Sequence, residues 1–248
     1  MLGGKVTFTI DTHEMGCDCI GQVSLVAMPG MTEFGEFDQI SNSHFACDAR
    51  GLSGNNVCPE FTILEANMYG FKATPRACPG YSVLGHWDKC DGEGDAPYDV
   101  YGSKDFTYGP GGDIDTNSPV NVQIEFHADG DTLTGYSVTL SQGDKTFTKK
   151  VESDYLAALS DSLKGQMAFQ IKQTAADSSA AQDLHHGQCS GACIADHQFK
   201  FGNLQIESTD KTYPESEPKK EDYDWWQFPD YDPSPCEDLG WDDCRFAY

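Results

Sequence analysis

Cations are scarce in this 248-residue chain: 16 Lys+Arg stand against 40 Asp+Glu, a formal net charge of −24. Only three of the cations are arginines, Arg50, Arg76 and Arg245. A field of that sign repels phosphate backbones and anionic headgroups, so nucleic acid and membrane surfaces are not expected as partners. No apolar run approaches the length of a bilayer-spanning helix. There is no Gly-rich phosphate loop and no Gly-x-Ser-x-Gly elbow, which argues against nucleotide chemistry and serine hydrolysis. There is also no internal repeat, and no Asn-x-Ser/Thr acceptor.

What is present points to a packed domain. The chain is 38% hydrophobic and 12% aromatic, which no disordered acidic chain matches, and the length suits one sizeable domain or a domain plus an appendage. Ten cysteines, at 17, 19, 47, 58, 78, 90, 189, 193, 236 and 244, form an even set. In a cytosolic enzyme that number is unusual, whereas in a secreted one it reads as up to five disulfides. The expectation is a mature extracellular chain, acting as a monomer.

The first two-thirds reads as strands separated by glycine turns. Residues 5–11 and 22–28 alternate apolar and polar side chains with a period of two. Residues 120–126, 132–140 and 145–151 follow, with an Asp129-Gly130-Asp131 turn between the first two. Residues 167–172 and 198–206 add two more strands. One helix is expected over 153–164: Ser153 caps it, Tyr155, Leu156, Leu159 and Leu163 form its stripe, and Gly165 ends it. Many strands and one short helix make the fold class all-β, an antiparallel sandwich.

The composition changes near Thr209. The last 40 residues hold 12 acids, 4 bases, five of the twelve prolines and nine aromatics, including Trp225, Trp226 and Trp241. Leaving those aromatics in water is costly, so the expectation is a domain over 1–208 and an acidic extension over 209–248. That extension is expected to lie pinned across the sandwich, with Cys236 and Cys244 closing a small loop and the carboxylates facing water.

The chemistry-bearing stretch runs Cys58-Pro59-Glu60-Phe61-Thr62-Ile63-Leu64-Glu65-Ala66-Asn67. Strict alternation sends Glu60 and Glu65 to opposite faces of a strand, and a bulge between them restores both to one face. Two carboxyl groups flanking a glycosidic bond are what glycoside hydrolysis requires. The spacing alone is a weak signal among 40 acids.

This stretch resembles the active-site strand of glycoside hydrolase family 7, whose motif is Glu-x-Asp-x-x-Glu-Ala-Asn followed by Thr-Pro-His-x-Cys. Glu60, Glu65, Ala66 and Asn67 match, and Thr74-Pro75-Arg76-Ala77-Cys78 arrives at the same spacing. Residues 17–28, Cys47-Asp48, Pro97-Tyr98 through Tyr108-Gly109-Pro110-Gly111, the helix, and residues 199–206 continue the likeness in order, over roughly 5–207. The resemblance implies a concanavalin A-like β-jelly roll with a concave cleft for a polysaccharide, no cofactor, and no metal. It implies Glu60 as nucleophile, Glu65 as general acid/base, and Thr62, Asn67, Arg76 and Arg50 near the substrate. It also implies the disulfides Cys47–Cys58, Cys78–Cys90, and Cys17 or Cys19 to Cys189 or Cys193. Where the family has Asp, His and Trp, this chain has Thr62, Arg76 and Leu64.

The two arginines beside the cleft either neutralise local acids or meet a charged polysaccharide. Two rival readings remain open at this stage: a non-catalytic carbohydrate-binding or wall-structural protein on the same scaffold, and a polysaccharide lyase in which Arg76 neutralises a uronate. Acid clusters at 91–95 and 111–115 have the composition of a Ca²⁺ site without the twelve-residue loop pattern. His185, His186 and His197, with Cys189 and Cys193, have the ingredients of a zinc site, although disulfides are the simpler use of those cysteines.

Overall fold

The computed structural model describes residues 1–28, 46–52, 56–80, 87–165, 167–175, 178–194 and 196–208. The acidic extension over 209–248, with Cys236, Cys244 and its expected packing, lies outside the described residues. Among the described residues no helix is long and apolar enough to cross a membrane.

Ten strands carry the architecture. They are β1 (Lys5–Glu14), β2 (Cys19–Val26), β3 (Glu60–Ala66), β4 (Phe71–Arg76) and β5 (Tyr98–Asp99), then β6 (Val120–Asp129), β7 (Thr132–Gln142), β8 (Lys145–Glu152), β9 (Ala168–Ala175) and β10 (Gln198–Glu207). They form two five-stranded sheets, in the orders β8-β7-β6-β1-β10 and β9-β2-β3-β4-β5. Within both sheets every pairing is antiparallel. All the strands expected from alternation are present.

Periodicity explains the packing. In β1, Val6, Phe8 and Ile10 point inward and are buried; in β6, Val120, Val122, Ile124 and Phe126 do the same. The second sheet answers with Val23, Leu25, Phe61 and Ile63. Phe61 meets the rings of Phe126 and Tyr136 edge-on at 5.1 and 5.0 Å, which ties β3 directly to the opposite sheet. Gly130, at φ 55°, takes the left-handed conformation needed to turn β6 into β7 within two residues. The edge strand β8 carries exposed Lys149 and Lys150, which discourages pairing with another chain.

The expected helix begins as a 3₁₀ turn over Asp154–Leu159, with the Ser153 hydroxyl accepting from the Tyr155 N–H. It continues as α1 (Ser160–Lys164), and Leu156, Leu159 and Leu163 are fully buried. A second helix, α2 (Ser178–His185), was not visible in the sequence, because its eight residues carry no extended apolar stripe. Ala181, Leu184 and His185 are nevertheless buried.

Four disulfides are formed: Cys17–Cys189, Cys19–Cys193, Cys47–Cys58 and Cys78–Cys90. They agree with the pairings implied by the resemblance and settle the two it left open. The cysteines near the histidines are therefore spent. His197 Nδ1 lies 3.6 Å from Cys19 Sγ, but both sulfurs of that cluster belong to the Cys19–Cys193 bridge. The acid clusters are spent as well. Asp91 accepts from the Glu93 and Gly94 N–H groups, Asp113 from Thr107, and Asp115 from Gly111 and Asn117, so these carboxylates shape their own loops. Nothing here supports the Ca²⁺ expectation.

Burial holds the Tyr98, Tyr108 and Tyr136 phenols well above their usual value, and pushes Tyr155 up to about 12. A phenol that ionises later in the folded chain than in the unfolded one, where the value is about 10, favours unfolding once the pH passes that value. Stability is therefore retained below about pH 10 and lost as the pH rises towards 12. Alkaline titration followed by tyrosinate absorbance and circular dichroism should show these four phenols ionising together with loss of structure.

Candidate active site

Strand β3 carries the site, and its register explains how. Against β2, Val23 pairs with Leu64 and Ser24 with Thr62, so Ile63 is an extra residue. Against β4, Thr62 pairs with Thr74 and Glu65 with Lys72, three steps on β3 for two on β4. This is a bulge between the two glutamates. Phe61, Ile63 and Leu64 all enter the core, while Glu60, Thr62 and Glu65 join one polar network on the other side of the sheet.

Glu60 is 1% exposed. Its Oε1 accepts from the Gln22 amide, the Ser24 hydroxyl and the Thr62 hydroxyl, each at 2.7 Å. Its Oε2 accepts from the Ala49 backbone N–H at 3.2 Å. A buried carboxylate is tolerable only with such a set of donors. Oε1 is saturated, whereas Oε2 has one long contact and keeps a lone pair.

Thr62 links the pair. Its hydroxyl donates to Glu60 and accepts from Arg76 Nη1 at 2.5 Å. The Arg76 side chain is only 4% exposed; Nε donates to the Gly92 carbonyl at 3.0 Å, and Nη2 lies 3.7 Å from Glu65 Oε2. The 91–95 loop seals this arginine. Gly94 has φ 73° and runs so close that a Cβ there would come within 2.4 Å of the Pro75 carbonyl and 2.8 Å of Arg76 Cγ. Glu65 is the more open carboxylate, at 12% side-chain exposure, and its Oε1 accepts from Arg50 Nη2 at 2.6 Å.

The network opens onto a cleft of about 880 Å³ whose wall includes Arg50, Glu65, Lys72, Arg76, Asp99 and Asp183. Lys72 is committed, lying 2.7 Å from Asp183 and 3.4 Å from Asp99. Of the six residues singled out in the sequence, Glu65, Arg50 and Arg76 line this cleft; Glu60 and Thr62 lie beneath its floor. Asn67 is elsewhere. It is buried, donates to the Cys17 carbonyl and accepts from the Tyr69 and Gly70 N–H groups, so it closes the turn after β3 rather than facing substrate. The sequence reading missed Gln22, Ser24 and the Ala49 N–H. Polar side chains at alternate positions of an otherwise apolar β2 were the available signal for the first two.

Thr62→Val removes a donor from Glu60 and an acceptor from Arg76 together. The expected loss is about 2–4 kcal/mol of unfolding free energy, measured by urea denaturation, since both partners are buried charges. A loss below about 0.5 kcal/mol, the scale of an ordinary surface change, would contradict this account of the network.

No protein-family model matches the chain. Solved structures do. The native Humicola insolens endocellulase EGI is 16% identical, with a TM-score of 0.67 over 86% of this chain and 69% of that one. A GH7 family cellobiohydrolase from Daphnia pulex is 15% identical, with a TM-score of 0.65 over 83% and 70%. A Melanocarpus albomyces cellobiohydrolase complexed with cellotetraose is 16% identical, with a TM-score of 0.64 over 83% and 70%. This chain has the β-jelly-roll fold that those glycoside hydrolases share.

Proposed function

We propose that this protein is a secreted glycoside hydrolase that cleaves a β-linked polysaccharide with retention, using Glu60 as nucleophile and Glu65 as general acid/base. The observation that carries the reading is the bulge in β3. It turns both glutamates into one polar network beneath and along a cleft, in a fold shared with an endocellulase and cellobiohydrolases. Four disulfides fit an oxidising compartment, and attack within chains rather than at their ends is part of the proposal.

In the first step Glu60 attacks the anomeric carbon while Glu65 gives a proton to the departing oxygen. In the second, Glu65 takes a proton from water, which displaces Glu60 from the sugar. Gln22, Ser24 and Thr62 hold Oε1 still, which leaves Oε2 as the attacking atom. The Thr62 hydroxyl does this without the charge that an aspartate would bring. Neighbouring Arg76 is compatible with it because a hydroxyl accepts from a guanidinium as readily as it donates to a carboxylate.

The burial of Glu60 favours a second reading, a non-catalytic polysaccharide-binding protein on the same scaffold, because a nucleophile must touch the sugar. Product analysis on a panel of β-glucans and uronate polymers separates the two. Hydrolysis is expected, with the β-anomer formed first by NMR, abolished by Glu60→Gln and lowered about 10²- to 10⁴-fold by Glu65→Gln. Binding by the wild type without any turnover would establish the second reading. Products with unsaturated ends would show a lyase instead.

A further inference from the structure

Two arginines hold Glu65, and they differ in freedom. Arg76 is fixed: it is buried, sealed by the 91–95 loop, and its donors go to Thr62, the Gly92 carbonyl and Glu65. Among the described residues, Arg50 is anchored through its backbone. Its N–H and that of Leu52 donate to Asp48 Oδ1, and the Cys47–Cys58 bridge ties the same loop to the start of β3. Beyond that anchor its side chain is 38% exposed and reaches along the cleft wall to Glu65 Oε1.

A general acid/base has to present an oxygen to the glycosidic bond. Oε1 of Glu65, the oxygen turned to the cleft wall, is occupied at 2.6 Å by Arg50, while Oε2 is turned to the buried Arg76 guanidinium at 3.7 Å. Work through Oε1 of Glu65 therefore requires Arg50 to let go. A neutral sugar offers the released guanidinium only hydroxyl groups, whereas a carboxylate or sulfate matches its fork of donors and replaces Glu65 on like terms. Lys72 is not the alternative anchor, because Asp99 and Asp183 hold it.

We infer that Arg50 is a specificity-determining residue: it keeps Glu65 out of use until an anionic group on the sugar chain draws the guanidinium away. The substrate class is then a β-linked polysaccharide bearing carboxylate or sulfate groups. This rests on the hydrolase reading above. The protein's own negative charge does not forbid it, since at physiological salt that field fades over about 8 Å while a bidentate ion pair acts at contact.

The test compares three soluble derivatives of one β-1,4-glucan: hydroxyethyl (neutral), carboxymethyl and sulfated. Wild-type kcat/KM is expected to favour an anionic derivative, and whichever of the two is favoured identifies carboxylate or sulfate. In Arg50→Ala, kcat on the neutral glucan should rise while KM on the anionic one rises, shrinking the preference about tenfold or more. Arg50→Lys should restore part of it, which a merely structural role would not do. Arg50→Ala should unfold at the wild-type temperature, its side chain being exposed. Turnover with a preference unchanged in Arg50→Ala overturns this inference and leaves the hydrolase reading standing. Absence of turnover on all three by wild type and both variants, with the β-glucan and uronate panel also inert, overturns both.

Discussion

Burying the Glu60 carboxylate under the floor of the cleft constrains nearly everything around it. An ionisable group out of water is stable only if donors surround it, and its four come from three places: β2 supplies Gln22 and Ser24, β3 supplies Thr62, and the loop before β3 supplies the Ala49 N–H. Those three sources can converge only if β2 and β3 stay in one register and the loop stays folded against them. The bulge at Ile63 reconciles the two demands on β3. It lets the strand keep Phe61, Ile63 and Leu64 in the core while it sends Glu60, Thr62 and Glu65 to the polar side. Conventional alternation cannot deliver both.

Covalent links sit where the charged network meets irregular backbone. Cys47–Cys58 closes the loop that carries Ala49 and Arg50 and ends two residues before Glu60. Cys78–Cys90 begins two residues after Arg76 and leads into the loop whose Gly92 carbonyl and Gly94 backbone cover it. Tyr155, from the 3₁₀ turn, reinforces the second loop: its hydroxyl donates to Asp91 and accepts from the Ala77 N–H. These loops have small apolar clusters of their own, built around the half-cystines with Val26, Ala49, Val57 and Trp87. Loops with so little apolar cover need another source of order, and cross-links that restrict the unfolded chain supply it.

The sandwich was legible in the sequence because each long strand is buried on one face, and that leaves a period of two in β1 and β6. The bulge was legible only as a requirement: two glutamates five apart on a strand cannot share a face otherwise. Helix α2 left no such trace, because a short helix docked by Ala181, Leu184 and His185 lacks a repeating stripe. Asn67 shows the limit of transferring a role by motif. Its place next to Glu65 suggested contact with substrate, yet a short amide after a strand end is well suited to closing a turn, and that is where its hydrogen bonds go. Gln22 and Ser24 escaped notice for the opposite reason. They are distant in sequence from the glutamates, and only sheet pairing brings them to Glu60.

The chain's scarcity of cations gives the arrangement at Glu65 its significance. Surplus acids at the surface are cheaply solvated, so a protein at −24 has no general need to pair its carboxylates, and many of them here are exposed. Yet two of its three arginines converge on a single glutamate. Ordinary neutralisation does not account for a choice so local, and a lysine would have sufficed where only charge mattered. A guanidinium fixed by the sheet and a second, exposed one that reaches Glu65 along the cleft wall make a different device. The first sets the electrostatic surroundings of the polar network permanently, through Thr62 to Glu60 and directly to Glu65. In the reading proposed above, the second exchanges one anion for another, and what the cleft accepts then depends on what the sugar offers Arg50 in return.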